Sequence, residues 1–194
     1  MVAPGRGRWE RYLSREVRAA GQRRRILAAL PELIAELGNA FTVDDVVEAA
    51  GIGRNTFYVH FDDTDAAVQT LLAEVLDDLS RALEEVRVTA RTPLARVRGV
   101  AAAWAHSAAT APALSLLAHA GAEGDGVNGA LREHLTDALA SARRAGIVGR
   151  EPDALRVELL IGAFDAAAVQ LAADPATELR VAEALVDLVL RGLR

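Results

Sequence analysis

The chain has 194 residues, of which 52% are hydrophobic and only 4% aromatic, and its formal net charge is −5. The apolar residues are mainly alanine, leucine and valine, so the composition favours an all-α fold. Cysteine is absent, which excludes disulfides, thiolate nucleophiles, Cys-ligated zinc and iron–sulfur clusters. No apolar stretch follows the first arginines, so we expect no secretory signal and a cytoplasmic protein.

The charge is distributed unevenly along the chain. Residues 1–25 contain eight arginines and two glutamates, an excess of six positive charges, whereas residues 26–194 carry an excess of eleven negative charges. Basic termini of this kind often bind nucleic acid or anionic membranes, and as often are only solvated. We treat residues 1–21 as a basic N-terminal arm with either role open. Part of it, from Trp9 onward, could be helical, and its Gly-rich start could enter the minor groove as a flexible arm.

A first helix is predicted to begin near Gln22. Its apolar residues recur at spacings of three and four, and Gly38 and Asn39 mark its end. Pro31 lies inside this pattern and is expected to bend the helix, because proline removes one backbone hydrogen bond. The periodic apolar residues are Ile26, Leu27, Leu30, Leu33, Ile34 and Leu37.

The stretch 42–61 predicts two short helices around a tight turn. Thr42 and Asp45 have the spacing of a capping box, and Gly51 has the conformational freedom that ends a helix. A second helix is expected to begin near Gly53 and to bury Phe57 and Phe61. This arrangement is a helix-turn-helix. Its second helix presents groups suited to bases and phosphates, namely Arg54, Asn55, Thr56, Tyr58, Val59 and His60.

The remaining chain predicts longer helices near 64–88, 93–110, 112–120, 127–145, 152–173 and 175–192, with prolines at several helix starts. We therefore expect a helix-turn-helix domain over residues 22–65 and a larger helical bundle over 66–194. Residues 99–122 lack Asp, Glu, Lys and Arg, which raises the alternative of a membrane span. Their alanine content, two histidines and Pro112 favour two buried helices instead.

The segment from Arg24 to Leu72 resembles the amino-terminal domain of TetR-family regulators. The family pattern is a helix ending in Gly, then Thr-x-x-Asp-hydrophobic, Ala-Gly-hydrophobic and Thr-hydrophobic-Tyr-x-His-Phe. The residues that match it are Gly38, Thr42, Asp45, Val46, Ala50, Gly51, Ile52, Thr56, Phe57, Tyr58, His60 and Phe61. The resemblance implies a bacterial transcription regulator that binds double-stranded DNA as a homodimer.

The resemblance also implies roles for individual residues. Arg54, Asn55 and Thr56 would open the recognition helix in the major groove, with Val59 beside them, while Tyr58, His60 and Thr42 would contact phosphates. Thr64 occupies the position where the family usually has a phosphate-binding Lys, and Gly53 replaces a capping Ser. The alternative for Tyr58 and His60 is a purely structural surface role.

The predicted reading head is unusually acidic. Residues 26–65 contain one arginine, Arg54, against eight acidic residues, an excess of seven negative charges. Positive charge for DNA binding is therefore expected to come from the preceding arm.

The last helix is apolar on two stripes, one with Leu179, Ala182, Val186, Val189 and Leu193 and the other with Val181, Leu185 and Leu188. Such a helix needs two partners, its own domain and a second subunit. Four residues of the preceding helix are candidates to join that interface: Phe164, Ala167, Ala168 and Leu171.

Candidate residues for an effector pocket inside the bundle are Trp104, His106, Leu116, Leu117, His119, His134 and Phe164, each of which is equally well explained as core. The histidines lack metal-ligand spacing and no catalytic motif is present, so we expect neither metal, cofactor nor enzymatic activity.

These features lead to one main hypothesis. The chain is interpreted as a ligand-responsive repressor that leaves a palindromic operator when a small, mostly apolar effector binds, with no membrane association. The alternative keeps the fold but treats the acidic head as degenerate, acting through protein contacts instead of DNA.

Overall fold

The structure, a computed structural model, describes residues 6–38, 40–111, 126–150 and 153–192. Within these ranges the secondary structure is entirely helical, which confirms the predicted all-α fold. The helices are α1 (Arg6–Leu37), α2 (Val43–Ala50), α3 (Arg54–His60), α4 (Thr64–Thr89), α5 (Pro93–Thr110), α6 (Gly126–Arg144), α7 (Ala154–Ala173), a short 3-10 helix (Pro175–Thr177) and α8 (Glu178–Gly192).

The predicted start of the first helix near Gln22 is wrong. Helix α1 begins at Arg6 and runs without interruption through Pro31 to Leu37. The first half is rich in arginine and glutamate, and its few apolar residues, such as Trp9, Leu13 and Val17, give a weaker helical pattern than those of the second half. Arginine and glutamate still favour helix, because straight side chains lose little rotamer freedom there. Much of the predicted arm is therefore helical.

The chain divides into two compact units, Met1–Leu71 and Leu72–Arg194. In the first unit, α1 packs against both α2 and α3. Ile26, Leu30, Val46 and Phe57 are fully buried at the centre of this packing. The ring of Phe61 lies 5.9 Å from that of Phe57, and both residues are buried as predicted.

In the second unit, α5 is the central helix and packs against α6, α7 and α8. Trp104 of α5 is buried edge-on against Phe164 of α7, with ring centroids 5.0 Å apart. Every fully buried side chain in the described part of this unit is apolar.

The charge-free segment 99–122 is only partly described. Its first part forms the end of α5, and the helix predicted over 112–120 lies outside the described residues. In the ranges that are described, the helices are too short or too polar to cross a membrane.

Helices α4 and α5 approach closely at a glycine. A β-carbon added to Gly99 would lie 2.5 Å from Cγ1 of Val86, well inside van der Waals contact. Valine is stiff at χ1, so Val86 cannot move aside at low cost. Gly21 is also helical, but an added β-carbon there meets nothing within 4 Å.

We predict that Gly99→Val destabilises the second unit by about 2 kcal/mol, because overpacking at a helix contact outweighs the gain in helix propensity. Gly21→Val, the matched control, should change the free energy of unfolding by less than about 0.5 kcal/mol. Urea unfolding followed by circular dichroism measures both. Equal stability of the two variants would contradict the close approach of α4 and α5.

Candidate nucleic-acid interface

Helix α2 begins with the capping box that the sequence predicts. The Thr42 hydroxyl accepts a hydrogen bond from the Asp45 backbone N–H, and the Asp45 carboxylate accepts one from the Thr42 backbone N–H at 2.7 Å. The hydrogen bond from the Thr42 backbone lowers the pKa of Asp45, and the one from its hydroxyl lowers it further. The start of this eight-residue helix is therefore held by two reciprocal bonds.

A left-handed residue ends α2 and sets the direction of α3. Gly51 has φ 62°, and its N–H donates to the Glu48 carbonyl at 3.2 Å, as expected for a helix C-terminus. Gly53 then caps α3 with extended backbone and without a side-chain hydrogen bond. The two helices and their turn are the predicted helix-turn-helix.

Helix α3 separates a buried face from an exposed one. Phe57 is buried beneath it, whereas Arg54, Asn55, Tyr58 and Val59 are exposed. The other four predicted DNA contacts include Thr42, which is exposed at the start of α2. The remaining three are half-buried: Thr56, His60 and Thr64. The structure thus brings most of the predicted DNA-binding residues onto one exposed helix and its immediate neighbours.

Arg54 has a partner that sequence reasoning missed. Its Nη1 donates to both carboxylate oxygens of Asp44, at 2.7 and 2.9 Å, and its guanidinium lies 5.9 Å from the centre of the Tyr58 ring. A hydrogen bond with Tyr58 raises the pKa of Arg54, and the charge of Asp44 raises it further. The ten-residue separation of Arg54 and Asp44 gave no local signal for this pair.

His60 is half-buried, and its Nε2 lies 3.4 Å from Oε1 of Gln22 on α1. A second contact of α1 lies at the end of α2, where Arg25 donates to the Gly51 carbonyl at 3.4 Å. Helix α1 therefore contacts the chain before α3, at Gly51, and at the last residue of α3, His60. These contacts span 38 and 26 residues of sequence, which explains why they were not predicted.

Three of the acidic residues have structural roles. Asp45 completes the capping box, Asp44 pairs with Arg54, and Asp63 accepts a hydrogen bond from the Ala66 N–H at 2.7 Å at the start of α4. A carboxylate at a helix N-terminus also interacts favourably with the helix dipole. The acidity of this unit is thus partly explained by how its short helices are stabilised.

Four of the effector-pocket candidates lie within the described residues. Trp104 and Phe164 form the core pair described above, and His134 is half-buried on α6. The His106 side chain is 67% exposed, with Nδ1 3.2 Å from Oε1 of Glu178. Leu116, Leu117 and His119 lie outside the described residues. No cluster of potential metal ligands occurs among the residues that the structure describes.

The second unit also exposes apolar side chains. On α7 the exposed positions Leu155, Leu159, Gly162, Ala166 and Val169 recur at spacings of four and three. Leu155 and Leu159 are 70% and 67% exposed, and Leu179, which lies on α8, is 77% exposed. In contrast, the predicted interface residues Phe164, Ala168 and Leu171 are buried within their own unit, and so are Val186 and Val189 of α8.

Comparison with known proteins agrees with this geometry. The family model described as "Bacterial regulatory proteins, tetR family" matches residues 26–69. The HTH-type transcriptional repressor KstR2 of Rhodococcus jostii (strain RHA1) is 38% identical over 68 residues, which are 34% of this chain and 33% of that protein. The match therefore spans about a third of the length of this curated relative.

Two solved structures extend the likeness to most of the chain. The ketosteroid transcriptional regulator KstR2 of Mycobacterium tuberculosis has a TM-score of 0.71 at 23% identity, covering 88% of this chain and 94% of that one. The fatty acid degradation regulator FadR of Bacillus halodurans has a TM-score of 0.66 at 18% identity, covering 89% and 96%. At these identities the likeness shows a shared fold.

The capped pair of short helices, its exposed α3 and the bundle that follows define a helix-turn-helix regulator fold. The match over residues 26–69 and the shared fold then confirm the resemblance seen in the sequence. Residues 26–69 of this chain match the tetR family of bacterial regulatory proteins, and most of the chain shares the fold of the two solved structures.

We predict that Asp45→Asn lowers the melting temperature of the first unit at neutral pH, because the capping box loses its charged acceptor. The folded-state pKa of Asp45 is depressed, so its contribution is present above the ordinary aspartate pKa and is lost as pH falls through the lowered value. The difference between wild type and variant should shrink on acidification. A difference that persists unchanged to low pH would contradict this assignment. Asp65→Asn, which removes an exposed acid from α4, is the charge control.

Proposed function

We propose that the chain is a homodimeric DNA-binding transcriptional repressor that a small, mostly apolar effector releases from its operator. The observation that carries this proposal is the exposed face of α3, where Arg54, Asn55 and Tyr58 stand on a capped helix-turn-helix above a buried Phe57. Arg and Asn are the side chains that hydrogen-bond guanine and adenine edges in the major groove.

The proposed contacts fall into two groups. The contacts to bases are assigned to residues at the start of α3 or on its exposed face, where a recognition helix meets bases. These residues are Arg54, Asn55, Thr56 and Val59. The remaining contacts, which position the duplex through its phosphates, are assigned to Tyr58, His60, Thr42 and Thr64. The bond between His60 and Gln22 supports a positioning role, because it fixes the imidazole against α1.

Helix α1 supplies the positive charge that the reading head lacks. Arg15, Arg18, Gln22 and Arg25 recur at spacings of three and four, so they share one face of this helix. Arg15 and Arg18 are exposed, and Gln22 and Arg25 contact the helix-turn-helix directly. We therefore assign phosphate binding to the helical arm that precedes the reading head.

The second unit is proposed to form the dimer. The exposed apolar stripe of α7 follows the four-three spacing of helix-packing surfaces, and Gly162 near its middle permits close approach of another helix. Leu179 and Leu188 extend the apolar surface onto α8. A second copy of the chain is the natural partner, since a helix-turn-helix reads palindromic half-sites in pairs.

An apolar effector fits the second unit because all its described buried side chains are apolar. The names of two proteins of the same fold refer to ketosteroids and to fatty acid degradation, both of which concern apolar molecules. An effector releases DNA if it binds one conformation of the dimer more tightly than the DNA-bound conformation. Trp104, Phe164 and His134 remain candidates for lining its site.

The first prediction tests DNA recognition. A duplex selected by the wild type from a random pool should bind with a steep salt dependence. Arg54→Ala and Asn55→Ala should each lower discrimination between this duplex and a scrambled one about tenfold, because each removes a hydrogen-bonding partner of a base. Deletion of residues 1–18 should instead weaken binding to both duplexes and flatten the salt slope by about 0.9 for each phosphate that the arm neutralises in the wild type.

The outcomes separate the alternatives. A truncated chain with full affinity and an unchanged salt slope would show that the arm is only solvated. Failure of the wild type to enrich any duplex would contradict DNA binding and favour the interpretation of the acidic head as a protein-contact surface.

A second prediction concerns the dimer. The double variant Leu159→Arg/Val169→Arg should sediment as a folded monomer at micromolar concentration, whereas wild type sediments as a dimer, because charges on the stripe cannot be desolvated cheaply. Val88→Arg alters an exposed valine of α4 and is the matched control. A dimeric double variant would place the interface elsewhere.

A third prediction concerns the effector. A long-chain fatty acid should raise the melting temperature and release the selected duplex, and acetate, which has the same headgroup, should do neither, because binding scales with buried apolar area. Release only by polar or multiply charged compounds would contradict an apolar effector.

A further inference from the structure

The pair formed by Arg54 and Asp44 lies on the surface that faces DNA in the proposed function. Both residues are largely exposed, with 57% of the Arg54 side chain and 69% of the Asp44 side chain accessible. An ion pair so open to solvent contributes little to stability. Because the pair lies on the surface proposed to read DNA, a role in binding accounts for it better than a role in stability.

The geometry of the pair leaves part of the guanidinium for other partners. Both carboxylate oxygens contact Nη1, so Asp44 does not engage the Nε and Nη2 edge. A guanidinium has five N–H donors in a rigid plane, and two of them on one edge suffice for a bidentate bond to guanine. Arg54 can therefore keep its bond to Asp44 while it reads a base.

A phosphate is a different kind of partner for the same arginine. It carries a negative charge, so its approach to Arg54 also brings it close to the Asp44 carboxylate, and like charges repel. A base edge carries no net charge and meets little of this repulsion. Asp44 thus penalises binding of Arg54 to a phosphate more than binding to a base.

We propose that Asp44 is a specificity-determining residue, which holds Arg54 for base reading and prevents it from acting as a sequence-independent phosphate ligand. The inference rests on the proposed DNA-binding function and deepens it. It also explains why Asp44 is acidic, because a more basic reading head would bind all DNA more tightly at the expense of discrimination.

The test compares dissociation constants for two duplexes, one selected by the wild type from a random pool and one scrambled from it. Asp44→Asn should bind the scrambled duplex more tightly and lower the ratio of the two constants about fivefold, the upper range for an exposed ion pair. Its salt slope on the scrambled duplex should steepen by about 0.9, which corresponds to one additional phosphate bound. Asp44→Glu, which keeps the carboxylate, should restore part of the ratio.

Two controls isolate the pair. Glu48→Gln removes the same charge from an exposed position one turn further along α2 and should leave the ratio within about twofold of wild type. In an Arg54→Ala background, Asp44→Asn should no longer change the ratio or the slope, since the residue through which it acts is gone. Circular dichroism melts check that each variant is folded.

Each failure has its own signature. If the wild type selects a duplex but Asp44→Asn keeps the full ratio, or lowers it equally without Arg54, the role of Asp44 is overturned and DNA binding stands. If the wild type selects no duplex at all, the proposed function fails and this inference fails with it.

Discussion

Helix α3, with seven residues, is too short to be stable alone, because helix nucleation is costly and few hydrogen bonds follow it. Helix α3 exists because Phe57 is buried completely beneath it, with Phe61 packed beside that ring. This burial fixes which side of α3 faces outward, and hence which residues are available to a partner. Three further features position α3: the cap of α2, the turn at Gly51 and the hydrogen bonds with α1.

Local signals in the sequence were sufficient for much of the first unit. The capping box, the left-handed glycine and the buried phenylalanines depend on residues a few positions apart, and each was predicted at the correct place. The bonds from Asp44 to Arg54 and from Gln22 to His60 join different helices, so no local pattern announces them. The start of α1 was missed because apolar residues are few in its arginine-rich first half, so their helical spacing is a weak signal.

The second unit shows a different limit. The two apolar stripes of the last helix predicted two packing surfaces. Periodicity alone cannot say which stripe packs in its own domain and which against a second subunit. Residues of both stripes are buried within this unit: Val186 and Val189 of one, and Val181 and Leu185 of the other. Leu179 and Leu188, one from each stripe, are exposed. The apolar stretch around His106 likewise did not indicate whether this side chain is buried or exposed. His106 is exposed and contacts Glu178, whereas Trp104, two positions earlier, lies in the core.

The length of α1 has a thermodynamic consequence. Its 32 residues make a rod about 48 Å long. Among the residues of this helix whose burial is described, from 15 onward, the first buried one is Ile26. The turns around Arg15 and Arg18 are solvent-exposed, so their amide protons should exchange more readily than those near Leu30. Arginines spaced three and four apart repel one another, and a polyanion relieves that repulsion. In the proposed function, DNA binding to these arginines and helicity at the beginning of α1 are therefore linked, and each favours the other.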